Sequence, residues 1–271
     1  MELLFFCPRW GSEQLAFGDF CTKAKGAGYA GVEMSLPTGE QDRTDGILDT
    51  LARHSLSFIG QHHQTHAADR VEHRTELQAH LRWLASARPL FINSQTGRDW
   101  FPFEDNLALI GAAQAVAEET GVTILHETHR GKFSFCAAAT KPFLDRLADL
   151  RLSADFSHWC TVSESLLEDQ EAAVSAAIER TDHIHARVGH AEGPQVNDPR
   201  APEWHTAFDA HLAWWDRIIQ KHRERGTKTF TITTESGPFP YMPTLPWTGM
   251  PVASQWDINC YMMDFLRRRY A

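Results

Sequence analysis

Eight short runs of apolar and β-branched residues are spaced along the chain, and a stretch able to form a helix follows nearly every one. The runs read ELLFFCP (2–8), YAGVEMS (29–35), LSFIGQH (56–62), PLFINSQ (89–95), VTILHET (122–128), RLSADFS (151–157), HIHARVG (183–189) and KTFTITTE (228–235). Strands that pair in parallel need a crossover of about a dozen residues, usually a helix. Eight such units predict a single-domain (β/α)8 TIM barrel over residues 1–271, a length that suits one barrel. A doubly wound open sheet is the alternative, but no Gly-rich dinucleotide fingerprint follows the first run.

The intervening stretches support this. In 106–119, Leu109, Ala112, Ala113 and Val116 recur at helical spacing. In 208–225, Phe208, Leu212, Trp215 and Ile219 form one stripe, and Gly226 is a natural stop. KGAGYAG (25–31) supplies a turn, and the Pro- and aromatic-rich 238–251 reads as a rim loop before the last helix. No linker-like or low-complexity segment divides the chain.

Composition removes several classes of function. A formal net charge of −9 argues against a nucleic-acid partner, which wants a basic stripe. The apolar run after Met1 is too short for a signal peptide, and no stretch is long enough to span a bilayer. The five cysteines are odd in number and scattered, which points to reduced thiols and a cytoplasmic location. A homo-oligomer is compatible with all of this. Fifteen histidines and nine tryptophans are the distinctive excess, and both residue types suit polar pockets with flat walls.

Chemistry in such a barrel gathers where the strands end. Alternate residues of a strand share a face, and the last four runs end in ionisable groups. Thr123, Leu125 and Glu127 share a face; so do Ser153 and Asp155; so do His183, His185 and Arg187; so do Thr231, Thr233 and Glu235. Each strand can therefore deliver one ligand to a common point: Glu127, Asp155, His185 and Glu235. Three carboxylates and an imidazole suit one divalent ion with open positions, Mn2+, Mg2+ or Co2+ before Zn2+. Taken singly, each has a plainer explanation: a Glu127–Arg130 salt bridge, a helix cap at Asp155, a core histidine, a Glu235–Lys pair. Agreement of parity on four successive strands favours the metal.

Gly28-Tyr29-Ala30-Gly31-Val32-Glu33 resembles the second-strand signature of the xylose-isomerase-like TIM barrels, the sugar isomerase and epimerase group that includes endonuclease IV. Glu127, Asp155-x-x-His158, the His-x-His pair ending in His185, and Glu235 follow in the order that superfamily shows. The resemblance implies a metal-dependent isomerase or epimerase of a small polyhydroxy carbonyl compound, working through a metal-stabilised enediolate. In its ketose 3-epimerase branch the two metal-bound glutamates are also acid and base, which implies that role for Glu127 and Glu235. The same branch implies substrate contact for His158. It also carries a substrate-binding glutamate soon after the first metal glutamate, where this chain reads THRGKF (128–133). Its substrate-binding arginine stands further past the metal histidine than Arg187 does. An inosose-dehydratase-like lyase is the alternative. An endonuclease IV-like nuclease fits less well, because Asp198-Pro199-Arg200 has Arg where a ligand is needed and the fourth run ends in Asn93-Ser94 rather than His. A non-catalytic barrel is the third reading.

Further residues are candidates for the pocket. Among His62, His63 and His66, His63 is preferred for substrate binding, with His129 beside it. Arg187 either binds a substrate anion or pairs with Glu127, Asp155 or Glu33. The loop 189–200 is a candidate lid. Trp159 and Trp204 are candidates to stack on a sugar ring, whereas Trp214 and Trp215 belong to the core.

Overall fold

The computed structural model describes residues 1–271. The eight strands are β1 (Glu2–Pro8), β2 (Gly31–Met34), β3 (Ser57–His62), β4 (Ile92–Ser94), β5 (Ile124–Glu127), β6 (Leu152–Ala154), β7 (Thr181–His185) and β8 (Thr229–Thr233). They pair in parallel in sequence order and close through β1 and β8, forming the expected barrel. Nine helices cover it: α1 (Phe17–Ala27), α2 (Gln41–Arg53), α3 (Arg70–Ser86), α4 (Phe103–Thr120), α5 (Ala137–Arg146), α6 (Phe156–Val162), α7 (Glu171–Arg180), α8 (His205–Glu224) and α9 (Gln255–Arg269). No helix is long and apolar enough to cross a membrane. All five cysteines are free.

The apolar residues fall into two compartments. One lies between barrel and helices and takes Phe5 and Cys7 from β1, Val32 from β2 and Ile232 from β8. The other fills the barrel itself with Phe6, Ile59, Phe91 and Leu125. Alternate residues of β1 thus enter opposite compartments, which is why that run is apolar on both faces. Gly31 is required by this interior. A Cβ there would lie 2.3 Å from the Phe6 ring and 2.5 Å from the Ser57 carbonyl oxygen.

Several strands are shorter than their apolar runs. β6 stops at Ala154 because Asp155 leaves the ladder and caps α6, accepting from the Ser157 N–H at 3.2 Å. The helices expected at 106–119 and 208–225 are α4 and α8, each starting three residues earlier. α1 ends on Gly28, whose φ of +96° closes the helix where other residues would be strained. The segment 238–251 forms the loop between β8 and α9.

Three sequence expectations are corrected here. Trp159 is not a sugar platform: it is fully buried, stacked on Phe156, and donates its indole N–H to the Ser134 carbonyl at 2.8 Å. Trp204 donates to Asn197 Oδ1 at 2.5 Å and packs on His190, away from the mouth. The loop 189–200 is not a lid, since none of its residues lines the mouth cavity. Instead its Gln195 amide grips Gly237, accepting from Gly237 N–H at 2.7 Å and donating to Gly237 O at 3.0 Å.

Candidate active site

The C-terminal ends of the strands surround a cavity of about 820 Å³, within the range of small-molecule sites. Glu127 ends β5, Asp155 follows β6, His185 ends β7 and Glu235 lies two residues past β8. One ligating atom from each lies within 4.8 Å of the others. Glu33 joins them from β2, one step above Gly31 on the same inward face.

Each side chain is held by neighbours. Glu127 accepts from Asn93 Nδ2 at 3.1 Å and Gln95 Nε2 at 3.2 Å. The Asp155 backbone N–H donates to Thr128 Oγ1 at 2.7 Å, and the Ser157 hydroxyl and Arg187 guanidinium donate to its carboxylate. Glu235 stands where β8 has left the ladder, so its backbone needs other support. The Asn259 side chain supplies it with paired bonds to Ser236, at 2.8 and 3.0 Å, and the Gln195 grip on Gly237 continues it. A Cβ on Gly237 would meet the Trp10 ring at 2.1 Å, so a larger residue there would displace Trp10.

His185 stands between two buried carboxylates, Glu33 and Glu235. Its Nε2–H donates to Glu33 at 3.0 Å, which leaves Nδ1 as a lone pair. That Nδ1 lies 2.8 Å from Glu235 Oε2, yet neither atom is aligned for a hydrogen bond and both are buried without a partner. Two acceptors at this separation repel unless a proton or a cation lies between them. Burial alone would lower the His185 pKa, but Glu235 and Glu33 outweigh burial and carry it well above the ordinary value. Burial would raise Glu235, but His185 and Arg187 hold it below the ordinary value. Burial pushes Glu127 up to about 7, with His185 opposing and Glu235 and Asp155 adding to the rise. Three carboxylates and one imidazole nitrogen, convergent and short of positive charge, are a donor set that fits a divalent cation.

The other sequence candidates divide. His63 and His129 line the cavity, but His62 is buried in hydrogen bonds to Ser94 and Thr65, and His66 is exposed elsewhere. His158 is fully buried under His129, their ring centroids 3.9 Å apart. One polar atom from each of Glu127, His129 and His158 also lies within 4.8 Å of the others, but the tautomers speak against a second metal there. Arg187 donates to His158 Nε2 at 2.8 Å, and an arginine cannot accept. His158 Nε2 is therefore the acceptor and Nδ1 bears the proton, so neither nitrogen is free to ligate. Arg187 pairs with Asp155, lies 3.6 Å from Glu235, and stacks over Tyr241 at 4.7 Å. It does not pair with Glu127 or Glu33.

Sequence reasoning missed Asn93, Gln61, Gln95, Trp10 and Tyr241 as parts of this mouth. Inward parity on β3 and β4 could have found Gln61 and Asn93, which stand opposite each other in the ladder. Nothing local marks Trp10 or Tyr241, which meet edge-to-face at 5.0 Å from the two ends of the chain.

No protein-family model matches the sequence, and no curated protein does. Solved structures do. A D-allulose 3-epimerase from Methylomonas sp., in complex with D-allulose, superposes with a TM-score of 0.63 at 15% identity, covering 99% of this chain and 98% of that one. An L-ribulose 3-epimerase gives 0.65 at 13% identity over 100% and 95% of the two chains. A probable 3-DHS dehydratase of petrobactin synthesis from Bacillus anthracis gives 0.62 at 18% identity over 99% and 100%. Endonuclease IV from Thermus thermophilus gives 0.57 at 12% identity over 99% and 98%. The chain has the fold of the xylose-isomerase-like TIM barrels.

Proposed function

We propose that the barrel mouth is the active site of a metal-dependent isomerase or epimerase acting on a small polyhydroxy carbonyl compound. One observation carries this: Glu127, Asp155, His185 and Glu235 converge within 4.8 Å, with His185 Nδ1 and Glu235 Oε2 buried and unpartnered. Those four residues would hold the cation. When bound, it supplies the positive charge that makes a C–H bond beside a carbonyl acidic enough to ionise. The fold likeness to two sugar 3-epimerases supports the substrate class.

The remaining chemistry belongs to the chain. Glu235, followed by Ser236 and Gly237 whose backbones are held by the Asn259 and Gln195 amides, takes a proton from carbon at one side of the substrate. Glu127, held by Asn93 and Gln95, returns one at the other side. Return to the original carbon on the opposite face inverts it, whereas return to the neighbouring carbon, with the hydroxyl proton passing from one oxygen to the other, moves the carbonyl. Trp10 and Tyr241 close one wall with flat apolar surface suited to the C–H face of a sugar. Arg187 fixes Asp155 and lends charge to Glu235.

The test is to load the protein with Mn2+ and follow free ketoses and aldoses by NMR. Interconversion that stops on chelation, and is lost in Asp155→Ala together with the cation, is the expected result. Unaltered cation binding by Asp155→Ala would reject the site.

A further inference from the structure

We infer that two copies of this chain pair mouth to mouth, each setting the apolar arm that follows β8 on an apolar patch beside the α3 and α4 N-termini of the other. This goes beyond the proposed reaction and does not depend on it.

The arm lies between Gly237 and Ser254, a stretch with no acidic, basic or histidine side chain. It folds back on itself: the Leu245 N–H donates to Met250 O at 2.7 Å and the Val252 N–H to Pro243 O at 3.0 Å. Its root is fixed, with Met242 buried and Tyr241 edge-on to Trp10. Its outer part is uncovered. Phe239, Leu245, Met250 and Val252 are between 43% and 70% exposed, and Trp247 is fully exposed. Trp247 also has a φ of +68°, which glycine adopts freely and a bulky residue does not. Within one copy the indole packs on nothing that would offset that strain.

The patch lies across the mouth. Val71 opens α3, and Trp100 and Phe103 lead into α4; they are 75%, 62% and 37% exposed. Arg70 and Asp105 beside them form an ion pair and neutralise each other. β4 and β8 stand on opposite sides of the closed barrel, and the loops that follow the strands all rise at the same end. A two-fold axis perpendicular to the line from arm to patch therefore sets each arm over the other copy's patch. One partner covers both surfaces and leaves neither free for further growth.

The exposed apolar side chains of arm and patch amount to roughly 1,000 Å² per copy, against about 800 Å² per partner in a standard stable interface. A monomer rarely leaves that much apolar surface in patches. The net charge of −9 pushes two copies apart, but the arm contributes nothing to that repulsion. It also has no lysine or arginine to hold it to anionic lipid, which disfavours a membrane as its partner.

Sedimentation velocity of the full chain over a dilution series reads the association, and a dimer is expected. Trp247→Gly removes the indole and suits the backbone, so the single copy keeps its fold. Dimerisation should weaken by at least about 30-fold, as for a tryptophan at the centre of an interface. Trp100→Asp on the patch should weaken it comparably. Should Trp100→Asp fail to fold, Val71→Asp, at a more exposed position, replaces it. Mixing the arm variant with the patch variant restores one intact contact, because the first keeps its patch and the second keeps its arm. The mixture should therefore associate more tightly than either variant alone. A parent chain that stays monomeric overturns the inference, whether it remains free or floats with phosphatidylcholine vesicles. So does a dimer that only one variant weakens, or neither, and so does a mixture no tighter than its components.

Discussion

His185 donates from Nε2 to the buried Glu33 carboxylate at 3.0 Å, and this bond, made across the barrel from β7 to β2, turns Nδ1 toward Glu235. Glu33 is itself bonded by Asn93 Nδ2 at 2.9 Å and by the Thr233 hydroxyl. A ligand histidine whose second nitrogen is fixed in this way loses both its tautomeric and its rotational freedom. Glu33→Gln keeps the volume and removes the charge. Mn2+ affinity measured by calorimetry should fall about 10–100-fold, the usual effect of removing such an outer partner. Parental affinity in Glu33→Gln would show that His185 needs no such support.

Arg187 is buried and its charge is answered by Asp155 and Glu235. Arg187→Met fills similar volume but leaves two buried carboxylates exposed to each other. Denaturant unfolding of the metal-free variant should show a loss of about 3 kcal/mol. Saturating Mn2+ should restore part of it, since a cation binding only the folded state stabilises by mass action. Equal losses with and without Mn2+ would detach Arg187 from the cation-binding carboxylates.

Glu235→Gln keeps the size and one oxygen while removing the basic carboxylate. Cation affinity should fall modestly and turnover by roughly two orders of magnitude or more, the contribution of a positioned acid or base. Product formed by the parent protein in D2O should carry deuterium at the carbon beside the carbonyl. Conversion with no deuterium at all would replace proton transfer by carboxylates with a hydride shift or a shielded proton.

Gly31→Ala probes the barrel interior. The new methyl would meet the Phe6 ring and the Ser57 carbonyl oxygen, and backbone cannot step aside as a side chain can. Thermal and denaturant unfolding should register a loss of about 3 kcal/mol. Because Glu33 lies two residues further on the same strand, cation affinity should fall as well. A variant as stable as the parent would mean that the barrel accommodates more volume than the Phe6 packing allows.

His211 gives an acid sensitivity independent of the metal site. It is buried in α8, donates from Nδ1 to Ala207 O at 2.8 Å, and accepts the Gly189 N–H at 3.2 Å. Burial lowers its pKa from 6.5 to about 4. The unfolded chain therefore takes up a proton between pH 6.5 and 4 that the folded chain refuses. The stabilisation is complete above pH 6.5 and is lost as the pH falls to about 4, amounting to about 3 kcal/mol. His211→Gln should be less stable at neutral pH and show a shallower fall in unfolding free energy across this window. An unchanged slope would mean that His211 takes up no proton on unfolding in that range.

The sequence by itself determined the barrel and the strand ends that carry its chemistry. Strand periodicity is a local property, and in a barrel each strand's inward face is set by its own alternation. Glu127, Asp155, His185 and Glu235 could therefore be named from four separate runs before their mutual distances were known. The order of the strands also follows from local signals, because each helical crossover returns the chain to the neighbouring position.

Only the tertiary structure decided what surrounds those four residues. Glu33, Asn93 and Arg187 acquire their roles from partners 152, 34 and 32 residues away in sequence, respectively His185, Glu127 and Asp155. Trp159 sits one residue past His158 and still belongs to the core, because the short helix capped by Asp155 turns it away from the mouth. The loop 189–200, which has the length and glycines of a lid, instead steadies Glu235 through Gln195 and Gly237. Hydrogen-bond donors and charges of this kind find partners by position in space. Several arrangements satisfy the same local sequence, and only the packed barrel selects one of them.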